Sequence, residues 1–498
     1  MRVKSKKQLL PTMGAEWKGK ENMTDDLRGW LAKADQIGRL KRVDGADWDL
    51  EIGAISGLNV RKEDGPTLLF DNIKDYPRGF RVLTCSNHTR PLLELTFNLP
   101  PSQTTMKLVE SMREKVPEWE RRLKEFPYDV VKTGPILENI RSGKDVNLLQ
   151  FPVPRWHERD GGRYIGTGDA IITQDPETGD INLGTYRVMV HDEKTTAIYI
   201  SPGKHGRMHY EKYHSLGKPC PVAMSFGHHP LIFRAAATEV PFGSEYQFVG
   251  AVNGKSVQVI EEEITGLPIP ADSEIVAVGW IPPGKTKMEG PFGEWTGYYA
   301  SNERPTPVVE VERIYFRNEP ILMGAPPFRP PYETTLFIIV KGSAILWNSL
   351  VKSGVPDIKG VWMSEVGHQQ LVIVSLKQRY PGHARQAALL ACQNRPAAYH
   401  GRYVIVVDED IDPSDIRQVL WAVCTRSDPE TDIEILRGLW STPLDTMIRK
   451  PTTSYVNSRA IIDACKPYDW INEFPQDLKI DAQLEEKTRN KWGPLIGL

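Results

Sequence analysis

The sequence contains no C-x-x-C pair. Its five cysteines, Cys85, Cys220, Cys392, Cys424 and Cys465, are scattered and odd in number. That excludes a disulfide framework and fits reduced thiols in a cytoplasmic protein. No apolar run approaches the ~20 residues of a membrane span, and the densest, TLFIIV and YVIVV, are strand-sized. The basic start MRVKSKK lacks the apolar stretch of a secretory signal. Neither sign of charge is in excess: 62 Lys and Arg face 64 Asp and Glu, for a net charge of -2. A protein that neutralises nucleic-acid phosphates carries a basic block. None is present, so neither nucleic acid nor membrane is an expected partner. G-x-S-x-G, a Walker loop and a strand-linked G-x-G-x-x-G are also missing, which removes the commonest hydrolase and nucleotide signatures.

What is there is a chain of 498 residues with room for two or three domains. Residues 1–130 read as a mixed α/β domain. In TDDLRGWLAKAD, Thr24 can cap a helix whose apolar stripe is Leu27, Trp30, Leu31 and Ala34. Residues 104–125 are charged and helical, with a break expected at Pro117. From 131 to 330, strand-sized apolar runs alternate with Gly/Pro turns, among them DAIITQD, YRVMVHD, PVAMSFG and EIVAVGWI. This predicts a β-rich, barrel-like domain. From 331 to 450 the order strand, helix, strand, helix predicts a βαβ-type domain. Residues 451–498 read as a tail that packs on another subunit or domain.

One stretch raises a chemical question. KMEGPFGEWTGYY places Glu289 and Glu294 on either side of Gly-Pro-Phe-Gly. A helix or strand would separate them, and only a turn brings both carboxylates to one point. The plain alternative is a hairpin with two solvated acids. Two carboxylates held close need a shared proton or a cation, and the planar fork of arginine bridges such a pair. Arg187, inside the apolar run Tyr186 to Val190, is a candidate, although a strand-edge arginine with its head in water explains it equally well. SPGKHGR sets His205 between Lys204 and Arg207, and GSEY supplies Glu245. With Asn182, these offer mixed N/O donors for a hard divalent cation, but their spacing matches no short metal motif.

Taken in order, NLGTYRVMV, SPGKHGR, PFGSEYQFVGA, EGPFGEWTGYY, GHARQAALLA, VIVVDEDIDP and VLWAVCTR resemble the UbiD family of reversible decarboxylases, from about residue 24 to 465. The resemblance implies an N-terminal α/β part, a central split β-barrel flavin-binding domain and a C-terminal α/β domain with a terminal tail. It implies prenylated FMN, supplied by a UbiX-type flavin prenyltransferase, with its phosphate held through Mn²⁺ and with K⁺ nearby. Metal ligands fall on Asn182, His205 and Glu245, with Ala236 and Thr238 at the potassium positions. Cofactor contacts fall on Asn182, Leu183, Gly184, Thr185, Tyr186, Arg187, Lys204, His205, Glu245 and Arg395, with His400 and Arg402 as further basic candidates for the phosphate. The catalytic set is Arg187, Glu289 and Glu294, with Glu294 as proton donor and acceptor. The implied substrate is a small carboxylic acid, aromatic or heteroaromatic by preference and acrylic or cinnamic by alternative. Trp295 offers it a flat surface and Arg329 a second charge. A homodimer or homohexamer is implied as well. Two rivals from other classes are a metal-dependent hydrolase and a non-catalytic flavin-binding subunit.

Overall fold

The computed structural model describes residues 26–300, 302–399, 401–449 and 452–497. Thr24 and His400 lie outside them. The first described helix, Leu27–Gln36, is capped by Asp26, whose Oδ1 accepts from Gly29 N at 2.8 Å. Its Leu27, Trp30, Leu31 and Ala34 stripe is buried. It packs on a four-stranded sheet ordered Leu40–Asp44, Thr67–Asp71, Arg81–Thr84, Ile321–Met323. The last strand arrives from more than two hundred residues later and runs parallel to Arg81–Thr84, so the N-terminal unit is completed by the end of the central region.

The helix Thr105–Arg122 runs straight through Pro117, contrary to the expected break. Proline at that position leaves the Arg113 carbonyl without its helical donor. Asn348 supplies one instead, its Nδ2 donating to Arg113 O at 2.8 Å.

The centre of the molecule is a ten-stranded, mostly antiparallel sheet that curls into a half-barrel. Its path runs Arg163–Gly166, Arg187–Val190, Thr195–Tyr199, Arg304–Phe316, Ile275–Ile281, Cys220–Ser225, Ala170–Gln174, Ile181–Gly184. The 13-residue strand Arg304–Phe316 also pairs with Thr286–Glu289 and Asn139–Ser142. Strand-sized apolar runs between Gly/Pro turns mark this sheet because several of its strands, Cys220–Ser225 and Ile181–Gly184 among them, are buried on both faces.

The run TLFIIV is not a strand. It opens the helix Thr335–Lys352, which is long and apolar enough by composition to cross a membrane. Here it packs between Thr105–Arg122 and the strand Ile358–Met363. A helix covered on both sides loses its polar stripe, and with it the signal that separates it from a strand. The C-terminal sheet is ordered Ile358–Met363, Leu371–Leu376, Tyr403–Asp408, Val456–Ala464, Ile433–Trp440. Val456–Ala464 sits inside it, parallel to Tyr403–Asp408, so a tail beginning at 451 cuts through this sheet. The last helix, Ala482–Ile496, is exposed along nearly all its length.

Candidate active site

Arg187 begins its strand and faces Tyr199 across the sheet. Its guanidinium lies over the Tyr199 ring at 4.6 Å. Glu289 ends the strand Thr286–Glu289, opposite Arg304. The chain then turns through Gly290-Pro291-Phe292-Gly293, and Gly297 N closes back on Glu294 O at 2.8 Å. The outcome is a bridge. Arg187 Nε and Nη2 meet the Glu289 carboxylate, each at 2.9 Å, and Nη1 meets Glu294 Oε1 at 2.7 Å. Side-chain exposure is 9% for Arg187, 0% for Glu289 and 13% for Glu294. Glu294 is therefore the acid that reaches open space.

The electrostatics follow from this placement. Burial pushes the Glu294 carboxyl up; Arg187, and Arg304 more weakly, pull it down, and burial wins. Arg187 has burial working against its charge, yet Glu294 and Glu289 outweigh it and hold the guanidinium above its ordinary value. Tyr164 donates its hydroxyl to Glu289 Oε1 at 2.8 Å and packs its ring 4.0 Å from Phe292. Arg304, Tyr164 and Phe292 were not singled out from the sequence. Their roles depend on sheet register and loop closure, which no local spacing records.

The bridge sits in a cleft of about 300 Å³, the lower end of the size range for small-molecule sites. One wall is Thr185, Tyr186, Arg187 and Lys204; another is Phe292, Glu294 and Trp295; Tyr332, Thr334 and Leu444 close the rest. Leu444 belongs to the C-terminal domain. So does His368, which meets the Trp295 ring edge-on at 5.3 Å and shares a 3.1 Å hydrogen bond with the Tyr332 hydroxyl. Burial lowers its pKa to about 4, so it is neutral. Arg329 is exposed and does not line the cleft.

Asn182, Glu245 and the backbone beside His205 converge on Tyr186, while the His205 ring packs edge-on against Phe242 at 4.4 Å. The Tyr186 hydroxyl accepts from Gly206 N at 3.3 Å, lies against the Asn182 amide and feels the Glu245 charge. A Cβ on Gly184 would fall 2.2 Å from that hydroxyl, and one on Gly206 would fall 2.9 Å from the ring. Both glycines of NLGTY and KHG are thus required by one tyrosine. His205 and Glu245 each open a helix, His205–Ser215 and Glu245–Asn253. The Glu245 carboxylate takes the Leu183 N–H, yet burial pushes its pKa to about 7. Burial, with Lys204, keeps His205 neutral. A neutral imidazole at His205 and a destabilised carboxylate at Glu245 suit a divalent cation, which the Asn182 amide would join through its oxygen.

Three expected contacts differ. Arg395 pairs with Glu239 Oε1 at 2.7 Å, stacks on Trp440 and stays 58% exposed, outside the cleft wall. Arg402 pairs with Asp445 at 2.5 Å. At the potassium positions, Ala236 O accepts from Thr185 N, and Lys341 Nζ donates to Thr238 Oγ1 at 2.6 Å and to Glu239 O at 3.1 Å. The ammonium thus occupies the Thr238 hydroxyl, while Ala236 O takes only the Thr185 N–H. Burial lowers the Lys341 pKa to about 8. Lys341 directly follows the run TLFIIV, which ends at Val340.

The N-terminal, Rift-related and C-terminal domain models of 3-octaprenyl-4-hydroxybenzoate carboxy-lyase match residues 31–112, 129–330 and 339–464. The chain belongs to the UbiD family of carboxy-lyases. Among UbiD relatives, the pyrrole-2-carboxylic acid decarboxylase of Pseudomonas aeruginosa is 34% identical over 403 residues, 78% of this chain and 79% of that protein. The vanillic acid decarboxylase structure of Sedimentibacter hydroxybenzoicus in open form superposes with a TM-score of 0.80 at 30% identity, covering 96% of this chain and 100% of that one. The UbiD-class enzyme HmfF from Pelotomaculum thermopropionicum, in complex with FMN, gives 0.81 at 28% identity, covering 93% and 98%. An evolved dimeric form of HmfF carries prenylated FMN.

Proposed function

We propose that this chain decarboxylates a planar aromatic or heteroaromatic carboxylic acid on prenylated FMN, and that Glu294 delivers the proton that replaces CO₂. The observation that carries the reading is the Arg187 guanidinium fixed between a fully buried Glu289 and a cleft-facing Glu294. The flavin complexes of the related enzyme support the choice of cofactor.

When bound, prenylated FMN supplies the electron sink that an aromatic ring lacks for losing CO₂. Thr185, Tyr186, Arg187 and Lys204 form the wall against which it would lie, and a divalent ion on Asn182, His205 and Glu245 would hold its phosphate. The remaining work belongs to the chain. Arg187 grips both oxygens of Glu289 and orients Glu294. Tyr164 occupies a Glu289 oxygen, which fixes that carboxylate to one side of the bridge. Glu294, raised by burial, carries a proton into the cleft and returns as its own base. Trp295, Phe292, Tyr332 and Leu444 present apolar surface suited to a flat ring.

The test is coexpression with a UbiX-type flavin prenyltransferase, then an absorbance spectrum and CO₂ release over aryl, heteroaryl and cinnamic-type acids. Flavin absorbance with turnover of an aryl or heteroaryl acid is expected. Turnover of cinnamic-type acids alone overturns the substrate class. Metal-dependent hydrolysis without flavin, or bound flavin with no turnover, overturns the reaction in favour of one of the two rivals.

A further inference from the structure

Away from the cleft, the densest set of uncommitted ligand atoms lies where the strand Arg81–Thr84 ends. Cys85 has a left-handed backbone, φ +63°, and the chain turns through Ser86 and Asn87 to His88. Glu333, on the link into the C-terminal domain, comes up against this turn. One ligand atom from each of Cys85, His88 and Glu333 lies within 4.8 Å of the others. Cys85 and Glu333 are buried, 1% and 2% exposed, whereas His88 is half-buried and gives a route to solvent.

Each side chain has one atom to spare. His88 Nδ1 lies 3.1 Å from Cys85 O. A carbonyl can only accept, so Nδ1 carries the hydrogen and Nε2 keeps its lone pair. That Nε2 is buried with no hydrogen-bond partner. Glu333 Oε1 accepts from Ser86 Oγ at 2.6 Å, Asn87 N at 2.9 Å and Arg234 Nη2 at 3.2 Å. Its Oε2 is buried and unpartnered. The Cys85 thiol makes long contacts, 3.5 Å to Thr84 Oγ1 and 3.9 Å to Ser56 O, and has the Asn59 side chain beside it.

We propose that Cys85, His88 and Glu333 form a second metal site, which takes one Zn²⁺-like ion of borderline softness. Sulfur, imidazole and carboxylate together select such an ion over the hard cations suited to Asn182, His205 and Glu245. Zinc bonds of about 2.0–2.3 Å would draw the ligand atoms together by roughly 1 Å, within reach of side-chain rotation. The surroundings match what such sites need. His88 is anchored through its other nitrogen, and the Glu333 carboxylate is held through Oε1 by Ser86, Asn87 and Arg234, which would leave Oε2 for the ion. Burial, with Glu333, raises the Cys85 thiol to about 12. As the metal–sulfur bond forms, the S–H proton leaves to solvent past His88, and the ion offsets the thiolate charge. The site ties the N-terminal turn to Glu333, whose neighbours Tyr332 and Thr334 line the cleft. It is a structural clip behind that wall and independent of the decarboxylase reading.

Co²⁺ titration of chelator-stripped full-length protein tests this. A thiolate-to-cobalt charge-transfer band should grow to one equivalent and vanish on adding Zn²⁺. The Asn182, His205 and Glu245 set has no sulfur and cannot produce it. Cys85→Ser should abolish the band, His88→Gln should weaken binding by about 10–100-fold or more, and Cys424→Ser, at an exposed thiol, should leave it intact. No band in the wild-type protein, or a band that survives Cys85→Ser, overturns the site.

Discussion

Glu294 is set by three charges and one burial, and this makes it adjustable one residue at a time. Burial raises its pKa, while Arg187 and Arg304 lower it. If its protonated form is the donor, the rate falls on the alkaline side as pH rises through that pKa. Replacing Arg304 with Gln removes a positive charge but not the bridge. The alkaline limb of the kcat profile should then move to higher pH, and a pH–rate series on loaded enzyme checks it. The candidate acids, their arginine and the three metal-type donors were legible in the sequence only as fragments. Arg187 and Glu294 stand 107 residues apart, and no spacing rule spans that distance. Their order within a family pattern is what tied them together. Lys341 shows the reverse failure: it follows TLFIIV directly, and nothing in that apolar run marks the cation after it.

At the scale of elements, two polar devices hold pieces that propensity alone would not. The helix through Pro117 depends on Asn348, which donates to Arg113 O and accepts from Arg113 Nε at 3.0 Å. Asn348→Ala leaves a helical carbonyl unsatisfied and should cost about 1–3 kcal/mol in chemical denaturation. In the C-terminal domain, Arg426 is fully buried, forks onto Asp410 with two 2.9 Å bonds and reaches Asp408 at 3.2 Å. Arg426→Ala strands these acids and should destabilise the fold by about 3–5 kcal/mol. Burial works against the Asp410 charge, but Arg426 and Lys466 prevail and hold its pKa below the carboxylate range. Its contribution is complete above the unfolded-state pKa of about 3.9 and is lost as pH falls through the lower folded value. Acid melts of the wild type and of Arg426→Ala should therefore converge at the lowest pH. The half-barrel strands announced themselves as short apolar runs between Gly/Pro turns. Val456–Ala464 did not, because it is defined by the parallel strand beside it.

Across the whole molecule, the cleft is a joint product of two domains. The half-barrel supplies Arg187, Glu289 and Glu294, and the C-terminal domain supplies Leu444 and, behind Trp295, His368. Leu444→Trp should lower kcat/KM most for the largest ring acids while flavin absorbance stays unchanged, and a substrate-size series reads this directly. The three-part organisation was legible because each part has its own period. Its seams were not, since Ile321–Met323 returns to the first sheet and Val456–Ala464 to the last. The most direct measurement is CO₂ release by Glu294→Gln, loaded with prenylated FMN to the same absorbance as wild type. Loss of the proton donor should lower the rate by about 10²–10⁴-fold with the flavin spectrum intact. A variant that releases CO₂ at a rate indistinguishable from wild type would contradict the assignment of Glu294 and the chemistry built on it.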